Sequence, residues 1–148
     1  MATANGWTLY FHPAFKEKFD AAVVEVERLH EHLTPEQYAA HPKVKLFERL
    51  RSIIFIEVPS DPGALTYAQG NTLGPKYRHW RRVKFLGRFR LFFRFSTKLR
   101  VIIYAWVNDS RTLRHAGAKS DPYFLFEKRL HAGNPPDDWD DLIAQAAE

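Results

Sequence analysis

Cysteine is absent from the 148 residues. Without a thiol the chain has no disulfide framework, no thiolate metal site and no thiol nucleophile, and it fits a reducing cytoplasm. Long apolar runs are missing as well: the longest, "VIIYAWV", has seven residues, far short of a bilayer span. The opening "MATANGWTLY" offers neither a basic n-region nor an apolar h-region, so neither a signal peptide nor a membrane association is expected. A third lack is local. From Pro62 to Asn108 there is no Asp or Glu, while ten Lys or Arg fall in that stretch. The rest of the chain holds twelve basic and seventeen acidic residues, so the net charge of +5 hides one strongly cationic third. Positive charge gathered in this way marks a polyanionic partner more than general solubility.

What is present describes a single globular domain over residues 1–148. Hydrophobic residues make up 45% and charged residues 26%, which leaves no room for extensive disorder. "WTLYF" alternates Trp7, Leu9 and Phe11 and reads as a strand. Pro13 suits the first position of a helix whose apolar stripe, Phe15, Phe19, Ala22, Val23, Val26 and Leu29, runs to about residue 32. "TPEQ" at 34–37 has the capping-box pattern, and a second helical period follows to about residue 57, with Pro42 kinking or restarting it. Residues 63–77 read as a loop. Two strands at about 80–85 and 88–96 flank a Leu86-Gly87 turn, a third occupies 101–107, and helices begin after Asp121 and near Asp138.

Side chains alternate across a strand, so the stretch "WRRVKFLGRFRLFFRF" divides by parity. Val83, Phe85, Phe89, Leu91, Phe93 and Phe95 form an apolar set that can pack on the helices. Arg82, Lys84, Arg88, Arg90 and Arg94 form the opposite set, with Phe92 among them. Half-exposed strands do use cations to block edge pairing, but five with no anion exceeds that need. Arginine pairs bidentately with phosphate and stacks on bases. A nucleic-acid backbone with Phe92 as a base platform is the better fit, and RNA fits better than duplex DNA because no helix carries a basic recognition face.

The basic region contains no carboxylate cluster of the kind that holds catalytic Mg²⁺. The expected route is therefore metal-free and needs no cofactor: the RNA 2′-OH attacks the neighbouring phosphate, while side chains move protons and stabilise charge. Candidates near the hairpin are His79, Lys84, His115 and Tyr123. Neighbouring cations favour the neutral form of a lysine, the form that accepts a proton. Arg111 and Arg114 lie just after the central strand, where a loop could bring one of them to the hairpin.

Taken in order, "NGWTLYFHPAF", "WRRVKF", "GRFRLFFRFS", "WVNDSRTLR", "GAKSDPY" and "GNPPDDW" span almost the whole chain, and in this order they resemble the YhaV family of bacterial toxins within the RelE-like ribonuclease superfamily. The resemblance implies an α+β, RelE-like fold: an antiparallel sheet with N-terminal helices on one face, C-terminal helices, and RNA on the other face. It implies a type II toxin–antitoxin toxin, a cytoplasmic endoribonuclease that cuts mRNA in association with ribosomes and inhibits growth. Its partner would resemble PrlF, an AbrB-type swapped-hairpin antitoxin, with operator DNA reached only through that antitoxin. Carried onto this chain, the family's catalytic set falls on Arg82, Lys84, Arg90, Arg114 and Tyr123. The expected RNA contacts are Arg88, Phe92, Arg94, His79, His115 and Lys119. A non-catalytic RNA- or ribosome-binding module using the same basic face is the alternative, and that face could also receive an acidic antitoxin segment.

Overall fold

A computed structural model describes residues 2–148, and among them no helix is long and apolar enough to cross a membrane. Strands β1 (Ala2–Ala4) and β2 (Trp7–Phe11) form a hairpin whose turn residues, Asn5 and Gly6, both have positive φ, the conformation that a two-residue type I′ turn demands. β1 is an addition to the expected elements. Helix α1 (Pro13–His32) is followed by α2 (Pro35–Ala40), whose capping box forms as expected between Thr34 and Gln37. At Pro42 the helix restarts, because proline supplies no N–H to continue it. There α3 (Pro42–Ser52) begins, with the His41 ring accepting from the Lys43 N–H. It runs through a π-helical turn at Ile53–Glu57 into α4 (Val58–Ser60).

Beyond the loop come β3 (Arg81–Phe85), β4 (Phe89–Ser96) and β5 (Val101–Val107), then α5 (Pro122–Ala132) and α6 (Trp139–Ala146). The sheet order is β1-β2-β5-β4-β3. Three of its junctions are antiparallel; β2 runs parallel to β5, joined through the helices between them. β5 is thus the middle strand, which explains why it is apolar on both sides and buried from end to end. A bulge in the β4–β5 ladder sets Phe93 opposite Tyr104 and Phe92 opposite Trp106, so that Ala105 is the extra residue.

The parity of the hairpin holds. Val83, Phe85, Leu91 and Phe93 bury with Phe15, Leu50, Ile53, Ile54 and Tyr104 in the core under α1 and α3. The Tyr104 hydroxyl donates to the Ile54 carbonyl at 2.7 Å within the π-turn, and burial raises its pKa well above the ordinary phenol value. The opposite face is not bare. α5 and α6 lay Phe126, Leu130, Leu142 and Ala146 on Trp80, Phe92, Ile103 and Trp106. Burial of each of Phe126, Leu130 and Leu142 contributes about 1.5–3 kcal/mol, enough together to hold the C-terminal helices on the sheet. Helices therefore cover both faces, and the RNA-facing area that the resemblance implies is confined to the part of the sheet beyond α5.

His12 links the two layers. It is buried, its Nδ1 accepts from the Ala14 N–H at the start of α1, and its Nε2 lies 2.8 Å from Gln145 Oε1 on α6. That pairing requires a neutral ring with the proton on Nε2. Desolvation lowers the His12 pKa, so the unfolded chain binds the proton more readily than the folded one. The contribution is complete above the ordinary histidine value of about 6.5 and is lost as the pH falls below it. In His12→Asn, which caps α1 but does not titrate, urea unfolding should show a shallower loss of stability between pH 7 and pH 5 than in the wild type. Identical slopes would remove His12 from this role.

Candidate active site

Arg82 pairs with Phe92 across the β3–β4 ladder, two positions from Arg90, so the two arginines are diagonal neighbours on one face. Their guanidinium groups meet at one oxygen: Arg82 Nε and Arg90 Nε donate to the Tyr123 hydroxyl at 2.9 Å and 3.1 Å. Tyr123 is the second residue of α5 and is 5% exposed. Arg82 also donates to the Thr66 carbonyl, and Arg90 to those of Gly87 and Phe89. None of these acceptors carries a full negative charge. Neither Nη2 has a partner among the described residues, yet neither is sealed off, since the buried side-chain nitrogen or oxygen without a partner is Trp106 Nε1. Two guanidinium groups thus present free donors beside a phenol whose two lone pairs are already occupied. With those acceptor positions filled, the Tyr123 hydroxyl is left to act as a hydrogen-bond donor.

Arg114 completes the group. Its guanidinium lies over the Tyr123 ring, 4.6 Å from the centroid, and pairs with Asp121 at 2.8 Å. Arg111 is exposed and does not reach the cluster through any hydrogen bond or ion pair among the described residues, so the loop places Arg114 at the site. Asp121 is 2% exposed and serves three partners: the Tyr123 N–H as helix cap, the His115 N–H, and Arg114. Asn108, also buried, accepts from the Arg90 N–H and donates to the Arg88 and Thr112 carbonyls, stitching the loop to β4. Sequence reasoning saw Asp121 as a cap alone and missed Asn108; no spacing rule shows that a loop folds back on both. Lys84 stands opposite Arg90 on the same face and is exposed. Arg88 is exposed at the hairpin tip, where its Nε donates to the Arg114 carbonyl.

Other candidates lie elsewhere. Phe92 is 0% exposed and stacks on Phe126 at 4.2 Å with planes 8° apart, so it has no free face for a base. Arg94 is held between Trp80 and Trp139 and donates to the Asp137 carbonyl at 2.6 Å. His79 and Trp80 both engage Asp137 Oδ1, at 2.6 Å and 2.7 Å. These residues fasten the C-terminal segment to the sheet. Phe92 and Arg94 are therefore corrected from RNA contacts to packing, because the even positions of β4 are apolar or aromatic-lined wherever α5 and α6 cross them. The His115 and Lys119 side chains are exposed on the loop before α5, outside the cluster's hydrogen bonds.

The family model described as "Toxin with endonuclease activity, of toxin-antitoxin system" matches residues 9–147. Ribonuclease toxin YhaV of Escherichia coli K12 is 44% identical over 146 residues, covering 97% of this chain and 94% of that protein. The chain belongs to the YhaV toxin family. Toxin YhaV of Escherichia coli O6:H1 matches with the same identity and coverage. Among solved structures, the RelBE2 toxin–antitoxin complex of Mycobacterium tuberculosis aligns with a TM-score of 0.43 and 13% identity, over 70% of this chain and 96% of that one. As a YhaV-family member the protein is a toxin with endonuclease activity whose counterpart is an antitoxin.

Loss of the Asp121 carboxylate removes a helix cap and leaves Arg114 unpaired. Asp121→Ala should cost about 2 kcal/mol of unfolding free energy and Asp121→Asn, which still caps, about half of that, read from urea midpoints. Equal midpoints for both variants and the wild type would contradict the triple role.

Proposed function

We propose that this YhaV-family toxin is a ribonuclease that cleaves mRNA in the cytoplasm, in association with ribosomes and without a metal, through attack of the RNA 2′-OH on the adjacent phosphate. The observation that carries this reading is the convergence of Arg82, Arg90 and Arg114 on the Tyr123 side chain, with unpartnered guanidinium nitrogens and a phenol limited to donating. Arginine forks match phosphate oxygens, and fixed donors gain most where charge develops in the transition state. In the proposed step the 2′-oxygen bonds to phosphorus as the bond from phosphorus to the 5′-oxygen breaks. A 2′,3′-cyclic phosphate and a 5′-hydroxyl result. The 2′-OH proton goes to a base, for which Lys84 is the exposed candidate opposite Arg90. The leaving 5′-oxygen takes a proton from Tyr123.

Arg88, His115 and Lys119 extend the cationic surface along the hairpin tip and the loop, where they would track the flanking backbone. The counterpart proposed for this chain is a PrlF-like antitoxin of the swapped-hairpin AbrB type, through which alone the pair would contact operator DNA. An acidic segment of it laid on Arg82 and Arg90 would occupy the phosphate positions and silence the enzyme.

Purified toxin should cleave single-stranded RNA, alone or with ribosomes, in excess EDTA. Arg82→Ala or Arg90→Ala should lower kcat by about 10²–10³-fold, and Tyr123→Phe should do so with RNA affinity retained. RNA binding without any cleavage under both conditions would favour the non-catalytic module instead. With five cations, Arg82, Arg88, Arg90, Arg114 and Lys119, on the phosphates, the log–log dependence of binding on salt should have a slope of about −3.5. Arg88→Ala should make it about 0.7 shallower; an unchanged slope would take Arg88 off the backbone path.

A further inference from the structure

With Phe92 buried, the site has no base platform where one was expected, yet an aromatic side chain stands unused beside it. Phe124, next to Tyr123 in α5, is 47% exposed. It lines a cavity of about 240 Å³ together with Arg114, Tyr123, Thr72 and Glu127. Pockets for whole drug-sized ligands start at ~300 Å³, so this one suits a single base. Two of its walls, Arg114 and Tyr123, belong to the guanidinium–phenol cluster itself. A nucleotide whose phosphate lies against that cluster has its base within one sugar's length of the cavity.

Glu127 is the part that a plain phosphate site does not explain. A carboxylate beside a polyanion repels it, and no hydrogen bond or ion pair among the described residues ties Glu127 down. Its carboxylate lies against the backbone of Gly74, 3.8 Å from where a Cβ there would stand. A carboxylate is an acceptor, and in nucleic-acid recognition it reads amino groups on base edges.

We infer that this cavity receives the base flanking the scissile phosphate, stacked on Phe124, with Glu127 accepting from its exocyclic amine and so favouring amino-bearing bases over uracil. The inference rests on the ribonuclease reading above. Exposed aromatic platforms hold single-stranded bases without regard to sequence. Preference therefore falls to the carboxylate. The stack is made equally by substrate and transition state, so its loss shows in KM more than in kcat.

The test is cleavage of a randomised single-stranded RNA pool, with the product ends mapped, by wild type, Phe124→Ala, Phe124→Trp and Glu127→Gln. Phe124→Ala should raise KM about tenfold with kcat within about twofold, while Phe124→Trp, which keeps a stacking face, stays near wild type. Glu127→Gln should bring cleavage beside uracil up toward that beside the other bases at one flanking position. Wild-type KM and wild-type preference in Phe124→Ala and Glu127→Gln overturn the base pocket and leave the ribonuclease reading intact. Normal cleavage by Phe124→Ala with loss of antitoxin binding overturns it as well, assigning the ring to the protein partner. A pool that the wild type leaves uncut, with and without ribosomes, defeats the ribonuclease reading itself.

Discussion

Two guanidinium groups donating to one phenolic oxygen is the arrangement on which the site depends. Arg82 and Arg90 are buried to within 8% and 6% exposure, and their acceptors are Tyr123 and backbone carbonyls. Taking charge out of water costs several kcal/mol per ion unless a counter-charge is supplied, and neutral dipoles offset only part of that. The fold bears this cost through packing elsewhere. Phe126 stacks on Phe92 and meets Trp80 edge-on at 5.0 Å, which fixes α5 and hence the tyrosine between the two strands. On the proposed reading, a phosphate would provide the counter-charge the resting site lacks and would meet the free guanidinium nitrogens at little cost in reorganisation.

One face of β4 therefore carries two functions in succession. At Arg90 it belongs to the cationic cluster. At Phe92, two residues on, it is sealed beneath α5, and at Arg94 the guanidinium is clasped between two indoles and tied to the Asp137 backbone. Burial lowers the Arg94 pKa, although the nearby Asp137 and Asp138 oppose the shift. A cation sandwiched between aromatic rings is a strong fastener when desolvated, worth about 2 kcal/mol. The same residue type that joins the cationic cluster at one end of the strand locks the C-terminal segment at the other, and the crossing of α5 decides which role applies.

Local chemistry made much of this readable. The capping box at Thr34, the restart at Pro42, the alternation of the hairpin and the all-apolar central strand each follow from rules acting within a few residues. Asn5-Gly6 is a strong short hairpin signal, but the three-residue β1 that it turns back onto β2 carries no alternation of its own to mark it as a strand. The parallel β2–β5 junction joins segments about ninety residues apart and has no local signature. Parity assigned Arg82, Arg90 and Phe92 to one face correctly. It is blind to what covers that face, so it could not distinguish a base platform from a core residue. Phe126 and Leu130 on α5 held the missing information, because an apolar stripe there needs an apolar partner on the sheet.

The single acidic group inside the cluster shows how the cations are divided. Asp121 neutralises Arg114 and fixes it over the Tyr123 ring, whereas Arg82 and Arg90 have no carboxylate at all. A site with three uncompensated arginines would hold the cyclic phosphate product, which carries the same single charge as the diester it replaces, as tightly as its substrate, and turnover would stall. Pairing one of them internally trims the ground-state attraction, while its planar guanidinium retains donors for a phosphate that comes within reach. The same carboxylate caps the helix that carries Tyr123. The position of the proposed proton donor and the strength of the proposed anion site are thereby both tied to one buried side chain.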